Sequence, residues 1–400
     1  MDDETGPGEK ATRGTVIFGR GLLVAWWIAS GAALDAQVRS LATGAAHALG
    51  PDRAQSSSVS AGDVDGDGDL DLVVANGRHW VEVNEVFINN GHTAEVEAVA
   101  ASNGYGRFTR AWPLTPDRTT SYAVPLGDLD GDGDLDVIVA NDRSPNEILL
   151  NDGSGRFRAV GVLSIEADVT RDAALADVDG DGDLDVVVAN RGGPNALYRN
   201  RGEATFEPAG VVGTGTDGTI KIILADVDGD GAVDAVLANR DGTPTEVRWN
   251  DGSDGFGERT ELPGVGEGLA SAVADLDGAG HLDVAVVTVA GPDFVFFGAG
   301  ERGFGAGVPL DGGATRNSLA VAATDLDGDG DVDLALGHLS EPNAVLLNGG
   351  DGRSWSRSTF GDDQGLTYWI IAADVDADGF PDVVEVKSEG LNAVFLNRPG

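Results

Sequence analysis

The chain has no cysteine in its 400 residues, so neither a disulfide framework nor a thiolate metal site braces it, and cross-bracing has to come from something else. Basic residues are scarce: 26 Lys and Arg stand against 67 Asp and Glu, a formal net charge of −41. That balance argues against a nucleic-acid surface or an anionic-membrane binder. Long apolar runs are equally rare. The run from Gly21 to Ala29 follows Lys10, Arg13 and Arg20 and precedes the small residues of "SGAALDA". With roughly 14 apolar residues it falls short of the ~20 that a membrane span needs. It reads as a signal peptide over residues 1–36, cleaved around Ala32 to Ala36, with an uncleaved N-terminal anchor as the alternative. The expected location is therefore secreted, periplasmic or cell-surface, with no membrane insertion of the mature domain, residues 37–400.

What the sequence does have is repetition. "DVDGDGDLD" from Asp63 recurs as "DLDGDGDLD" from Asp128, "DVDGDGDLD" from Asp177 and "DVDGDGAVD" from Asp226. It recurs again as "DLDGAGHLD" from Asp275, "DLDGDGDVD" from Asp325 and "DVDADGFPD" from Asp374. The start-to-start spacings are 65, 49, 49, 49, 50 and 49, with sixteen extra residues lengthening the first interval. A fixed period of this size marks a solenoid or propeller, not a string of independent domains. Each period carries a small-residue segment into the motif, an unbroken apolar segment such as "LDVVVAN" out of it, and a third apolar segment such as "NAVLLNG". A fourth begins near Phe108, Phe157, Phe206, Phe256, Phe304 or Trp355. Gly- and Asn-rich turns separate them, as hairpins require. The expectation is an all-β, seven-bladed β-propeller with four-stranded antiparallel blades, in which unbroken apolar strands are buried on both faces. The last repeat ends after its third segment, so a strand within residues 40–49 is expected to complete it and close the ring.

In D-x-D-G-D-G-x-x-D, positions one, three, five and nine place carboxylates around one point, the glycines allow the curl, and the position-seven carbonyl adds an oxygen. Hard oxygens without His or Cys select Ca²⁺. The candidate ligands are Asp63, Asp65, Asp67 and Asp71; Asp128, Asp130, Asp132 and Asp136; Asp177, Asp179, Asp181 and Asp185; and Asp226, Asp228, Asp230 and Asp234. They continue with Asp275, Asp277 and Asp283; Asp325, Asp327, Asp329 and Asp333; and Asp374, Asp376, Asp378 and Asp382. Six or seven ions are expected, the fifth site being weakest because Ala279 replaces its position-five aspartate. An EF-hand is excluded: strands flank the motif, and position twelve is apolar except at Glu385. The seven motifs hold 31 of the 67 acidic residues, so the extreme acidity belongs to these turns.

The aspartate turns, the "VVAN" segments and "LLNDGSGRF" from Leu149 to Phe157 resemble the FG-GAP/VCBS repeat family, relatives of the integrin α-subunit propeller. The resemblance implies calcium turns between the first and second strands on one face and ligands on the other. It also implies a recognition or adhesion role, a function that the fold alone does not decide.

At the turns into the first strands stand Tyr122, Arg171, Lys221, Arg316, Tyr368 and Trp369, candidate ligand contacts around a central channel, or else plugs within it. Of the five histidines, His79 and His338 are placed on turns between second and third strands, and no catalytic constellation is apparent. The function expected is a non-enzymatic module for an extracellular protein or glycan, acting as a monomer. The alternative is a glycan-active enzyme such as a polysaccharide lyase. The insertion from His92 to Tyr105 is the expected seat of individual specificity.

Overall fold

The computed structural model describes residues 39–41, 47–49, 54–91, 107–108, 110–252, 255–300, 302–362 and 366–399. The segment read as a signal peptide and the insertion from His92 to Tyr105 lie outside the described residues. Among the described residues there is no α-helix, and none is therefore long and apolar enough to cross a membrane.

The third repeat shows the plan. Thr170–Ala176 leads into the aspartate turn, Asp185–Asn190 leaves it, and Asn195–Asn200 and Phe206–Val212 complete an antiparallel sheet in sequence order. The fourth, fifth and sixth repeats repeat this order. In the second repeat the first strand is split into Ser121–Ala123 and Leu126–Gly127 around Pro125, which has no N–H for the ladder. In the fifth repeat the fourth strand is only Val308–Pro309. Phe304, expected to open it, instead makes an isolated bridge with Gly298 and stacks on Trp249 of the fourth repeat, ring centroids 6.1 Å apart.

The unbroken apolar segments become second strands with every residue buried, for example Asp136–Asn141 and Asp234–Asn239. Alternate residues of one strand face different neighbours, as the two-residue period of a strand demands. Val186 and Val188 pack with Ile138 and Ala140 of the preceding repeat, while Val187 and Ala189 pack with Ala235 and Leu237 of the following one. Among the described residues the core divides into seven such clusters, each shared by two consecutive repeats; in one of them Val384 and Val386 of the last repeat meet Leu72 and Val74 of the first. No repeat owns a core. Each is half of two cores, so the sheets are stable only as a ring.

At the joint, His47–Ala48 lies antiparallel beside Ala393–Phe395, and the Leu49 N–H donates to the Asn392 carbonyl at 2.8 Å. Arg39–Ser40 pairs with Arg398–Pro399. The N-terminal segment thus covers the outer side of the last repeat's third strand, and Gln55 of the first repeat pairs with Ser388 of the last. Deleting residues 39–49 is expected to expose this strand edge, lowering the melting temperature and causing association in size-exclusion chromatography. Unchanged melting and a monodisperse peak would contradict this role of the segment.

Candidate functional site

Each aspartate turn is a hydrogen-bonded frame. The position-one carboxylate accepts the N–H of the glycine at position six in every repeat, from Gly68 to Asp63 (3.0 Å) through Gly379 to Asp374 (2.8 Å). Where position five is aspartate it accepts the N–H of position seven, as Asp132 does from Asp134 (3.0 Å). The curl needs left-handed backbone at the glycines: Gly131 has φ 82° and Gly133 φ 99°. In the seventh turn Ala377 takes this conformation (φ 55°), at a cost that glycine avoids.

The position-nine aspartate has a second task. Asp71 accepts N–H from Val64 (3.0 Å) at position two of its own turn and from Asn89 (2.7 Å) at the end of the third strand. The same pair of bonds recurs down to Asp382, which accepts from Val375 (3.1 Å) and Asn397 (2.7 Å). All seven position-nine aspartates are buried, at 0–1% exposure. Burial pushes their carboxyls up: to about 7 in Asp71, Asp136, Asp234 and Asp333, about 6 in Asp185 and Asp283, and about 8 in Asp382. Neighbouring turn aspartates push in the same direction, and the two N–H bonds only partly offset the effect.

The asparagine that donates its N–H to position nine also latches the ring. Its side-chain amide reaches back to the position-two carbonyl of the preceding repeat: Asn151 to Val64 (2.8 Å), Asn200 to Leu129 (2.7 Å), Asn348 to Leu276 (2.7 Å). Asn89 of the first repeat donates to Val375 of the last (2.8 Å). A second latch works on the opposite face, where Asn195 donates to Thr219 of the next repeat (2.9 Å) and Asn392 to Ser56 across the joint (2.8 Å).

The turns fit a hard cation. Carboxylate oxygens of Asp63, Asp65 and Asp71, of Asp128, Asp130 and Asp136, and of Asp177, Asp179 and Asp185 lie within 4.8 Å of one another. So do those of Asp226, Asp228 and Asp230, and of Asp275, Asp277 and Asp283 despite Ala279. Asp179 Oδ1 and Asp275 Oδ1 are buried and accept no hydrogen bond, which is costly for a carboxylate oxygen unless a cation meets it; Asp226 Oδ1 is equally unbonded, in the turn whose Asp228 and Asp230 pair with the Arg302 guanidinium.

Four of the six candidate ligand residues meet in one cavity. Arg171, Lys221, Tyr368 and Trp369 line a solvent-open space of about 420 Å³ together with Ile220, Leu269 and Leu319. The placement follows from a bulge near the start of every first strand. One extra residue there interrupts the pairing register, and these extra residues include Tyr122, Arg171, Ile220, Leu269, Leu319 and Tyr368. Lys221 and Trp369 each follow a bulge, and the Lys221 ammonium lies 3.0 Å from the centre of the Trp369 ring. Burial lowers the Lys221 ammonium to about 8, against the pull of Asp172.

Tyr122 is not a surface residue. It is 2% exposed, lies edge-on to Tyr368 and stacks under Arg171, and its hydroxyl donates to the Arg78 carbonyl. Arg316 stands apart from the cavity, paired with Asp311 (2.9 Å) and Glu341 (3.8 Å). Asp142, paired with Arg171 (3.0 Å), Arg78, which stacks on Tyr368, and Asp172 complete the charge pattern. Nothing in the sequence singled these three out. His338, placed on a turn by its sequence, closes the second strand Asp333–His338 instead, 1% exposed, and burial lowers it to about 4. It is a neutral core residue.

Sheets of consecutive strands packed side by side around a cavity define a β-propeller. The chain belongs to the FG-GAP-like repeat family, whose model matches six times, over residues 63–139, 128–188, 177–237, 226–286, 275–336 and 325–385. Each match runs from one aspartate turn to the second strand of the next repeat. No curated protein matches the chain in sequence. Among solved structures, BBS1N, crystallised in complex with ARL6DN, is similar over 89% of this chain and 98% of its own, with TM-score 0.58 and 14% identity. The BP39L lectin from Burkholderia pseudomallei is similar over 86% of this chain and 99% of its own, also with TM-score 0.58 and 14% identity. Both similarities are of fold.

The raised position-nine carboxyls set the sign of a pH effect. Where the folded pKa lies above the ordinary 3.8, the folded state holds protons that the unfolded state has lost, so stability falls as pH rises from about 4 to about 7. In EGTA the melting temperature is therefore expected to rise as pH is lowered from 8 to 5. A flat or falling profile in calorimetry would contradict the charged frame described above.

Proposed function

We propose that the protein is an exported, seven-bladed, calcium-stapled propeller that acts as a non-enzymatic recognition module for a protein or glycan ligand at the cell surface. It works as a monomer with no nucleic-acid partner. The position-one, -three, -five and -nine aspartates would hold the ions, and calcium supplies positive charge where each turn concentrates negative charge. The fifth turn has the smallest carboxylate set, Asp275, Asp277 and Asp283.

The observation that carries the recognition role is the composition of the face opposite the aspartate turns. There the second-to-third-strand turn of the first repeat leaves Trp80 64% and Val81 58% exposed, two large apolar residues side by side on an otherwise acidic protein. Exposed aromatic surface of this kind marks interaction sites. The same fold serves protein binding in BBS1N, crystallised with ARL6DN, and belongs to a lectin in BP39L.

Glycan and protein arrays in millimolar Ca²⁺ test the reading. A ligand is expected whose affinity drops about tenfold or more in Trp80→Ala, the cost of about 1.4 kcal/mol for one lost aromatic anchor, with an unchanged melting curve. Affinity unaffected by this substitution would contradict the assignment of the face. Release of unsaturated glycan products would replace the module with a polysaccharide lyase.

A further inference from the structure

The seven turns are not equivalent in what meets their carboxylates. In the second turn, Asp130 Oδ1 accepts the Asp132 N–H and Asp132 Oδ1 accepts the Asp134 N–H, at 3.2 and 3.0 Å. The sixth turn repeats this with Asp327 and Asp329, at 3.2 and 2.9 Å. In both turns the second oxygen of each carboxylate has no basic side chain on it among the described residues. The fourth turn has the same backbone frame, Asp230 N–H to Asp228 Oδ1 (3.1 Å) and Ala232 N–H to Asp230 Oδ1 (2.9 Å). There the remaining oxygens are taken. Arg302 of the fifth repeat places Nε 2.6 Å from Asp228 Oδ2 and Nη2 2.9 Å from Asp230 Oδ2.

Arg302 is built into this position. Its Nη2 also donates to the Asn250 carbonyl (3.2 Å), and its own carbonyl accepts from Thr260 Oγ1 (2.9 Å). Its backbone sits in the left-handed region at φ 60°, an unfavourable conformation for arginine that the surrounding bonds hold in place. It also stands in for a missing latch. In the fifth repeat the residue that donates its N–H to the position-nine aspartate is Gly298, which has no amide side chain to reach the Val227 carbonyl. The seventh turn has a comparable partner: Arg398 pairs with Asp376 and, at 3.3 Å, with Asp378.

We infer that the fourth turn is closed by the Arg302 guanidinium in place of a divalent cation, and the seventh by Arg398, whereas the second and sixth turns are metal-closed. This rests on the calcium reading above and goes beyond it by assigning which turns take the ion. A planar guanidinium across two carboxylates supplies the charge-assisted bonds a cation would otherwise supply, and a divalent ion would have to displace it.

The test counts ions. Calcium bound per chain is measured by equilibrium dialysis with elemental analysis, alongside melting curves in Ca²⁺ and in EGTA, for the full chain and for Asp228→Asn, Asp327→Asn and Arg302→Gln. Asp327→Asn is expected to lose one ion and to lower the melting temperature in Ca²⁺ only. Asp228→Asn is expected to keep the wild-type ion count and to lower melting equally with and without Ca²⁺. Arg302→Gln, where it folds, is expected to gain one ion; an unchanged count in a folded Arg302→Gln protein would overturn the assignment. Loss of one ion in Asp228→Asn, matching Asp327→Asn, would overturn it too while leaving the calcium reading intact. A wild-type chain that binds no calcium at all would overturn both.

Discussion

One buried carboxylate per repeat organises this molecule. The position-nine aspartate ties its own turn to the end of the third strand, and the asparagine at that strand end ties the repeat to the turn before it. Remove the carboxylate and three things lose their reference at once: the curl of the turn, the register of the third strand and the contact between neighbouring sheets. A buried hydrogen-bond acceptor that leaves its donors unpaired costs about 1–3 kcal/mol, and here the donors belong to the backbone of two elements.

That arrangement concentrates negative charge where the sheets meet. Two physically different groups are suited to offset it. Clustered oxygens with unbonded lone pairs, as at Asp179 and Asp275, suit a hard cation, while Arg302 brings a guanidinium from the adjacent repeat to the turn of Asp226, Asp228 and Asp230. The apolar cores are tied to this arrangement, because each is shared between two repeats whose turns an asparagine amide links. Charge compensation and hydrophobic burial are therefore linked around the whole ring.

Much of this is legible in the sequence. The period, the unbroken apolar segments and the aspartate spacing together imply sheets stacked face to face, since "DVVVAN" can be wholly apolar only if both faces are covered. The asparagines at both ends of segments such as "NALYRN" suit turns by local sequence alone; that their amides cross to neighbouring repeats depends on three-dimensional adjacency. Arg171, Lys221, Tyr368 and Trp369 are expected around the channel from their place at the starts of first strands, and they line it; the local device is what the sequence hides. A one-residue bulge turns Arg171 and Tyr368 inward, and nothing in the local sequence marks the extra residue. Phe304 misled for a plain reason: an aromatic at the expected spacing was recruited to stack on Trp249 instead of opening a strand.

The central claim is that charge compensation at the aspartate turns holds the fold together, and calorimetry with and without calcium tests it most directly. Each occupied site adds roughly 1.4 kcal/mol when Ca²⁺ is ten times its Kd. Several sites acting together are expected to shift the melting temperature by about ten degrees or more, at roughly 2 °C for each kcal/mol in a large domain. The account predicts that the melting temperature in millimolar Ca²⁺ exceeds that in EGTA by this margin. Superimposable melting curves in the two buffers would contradict it.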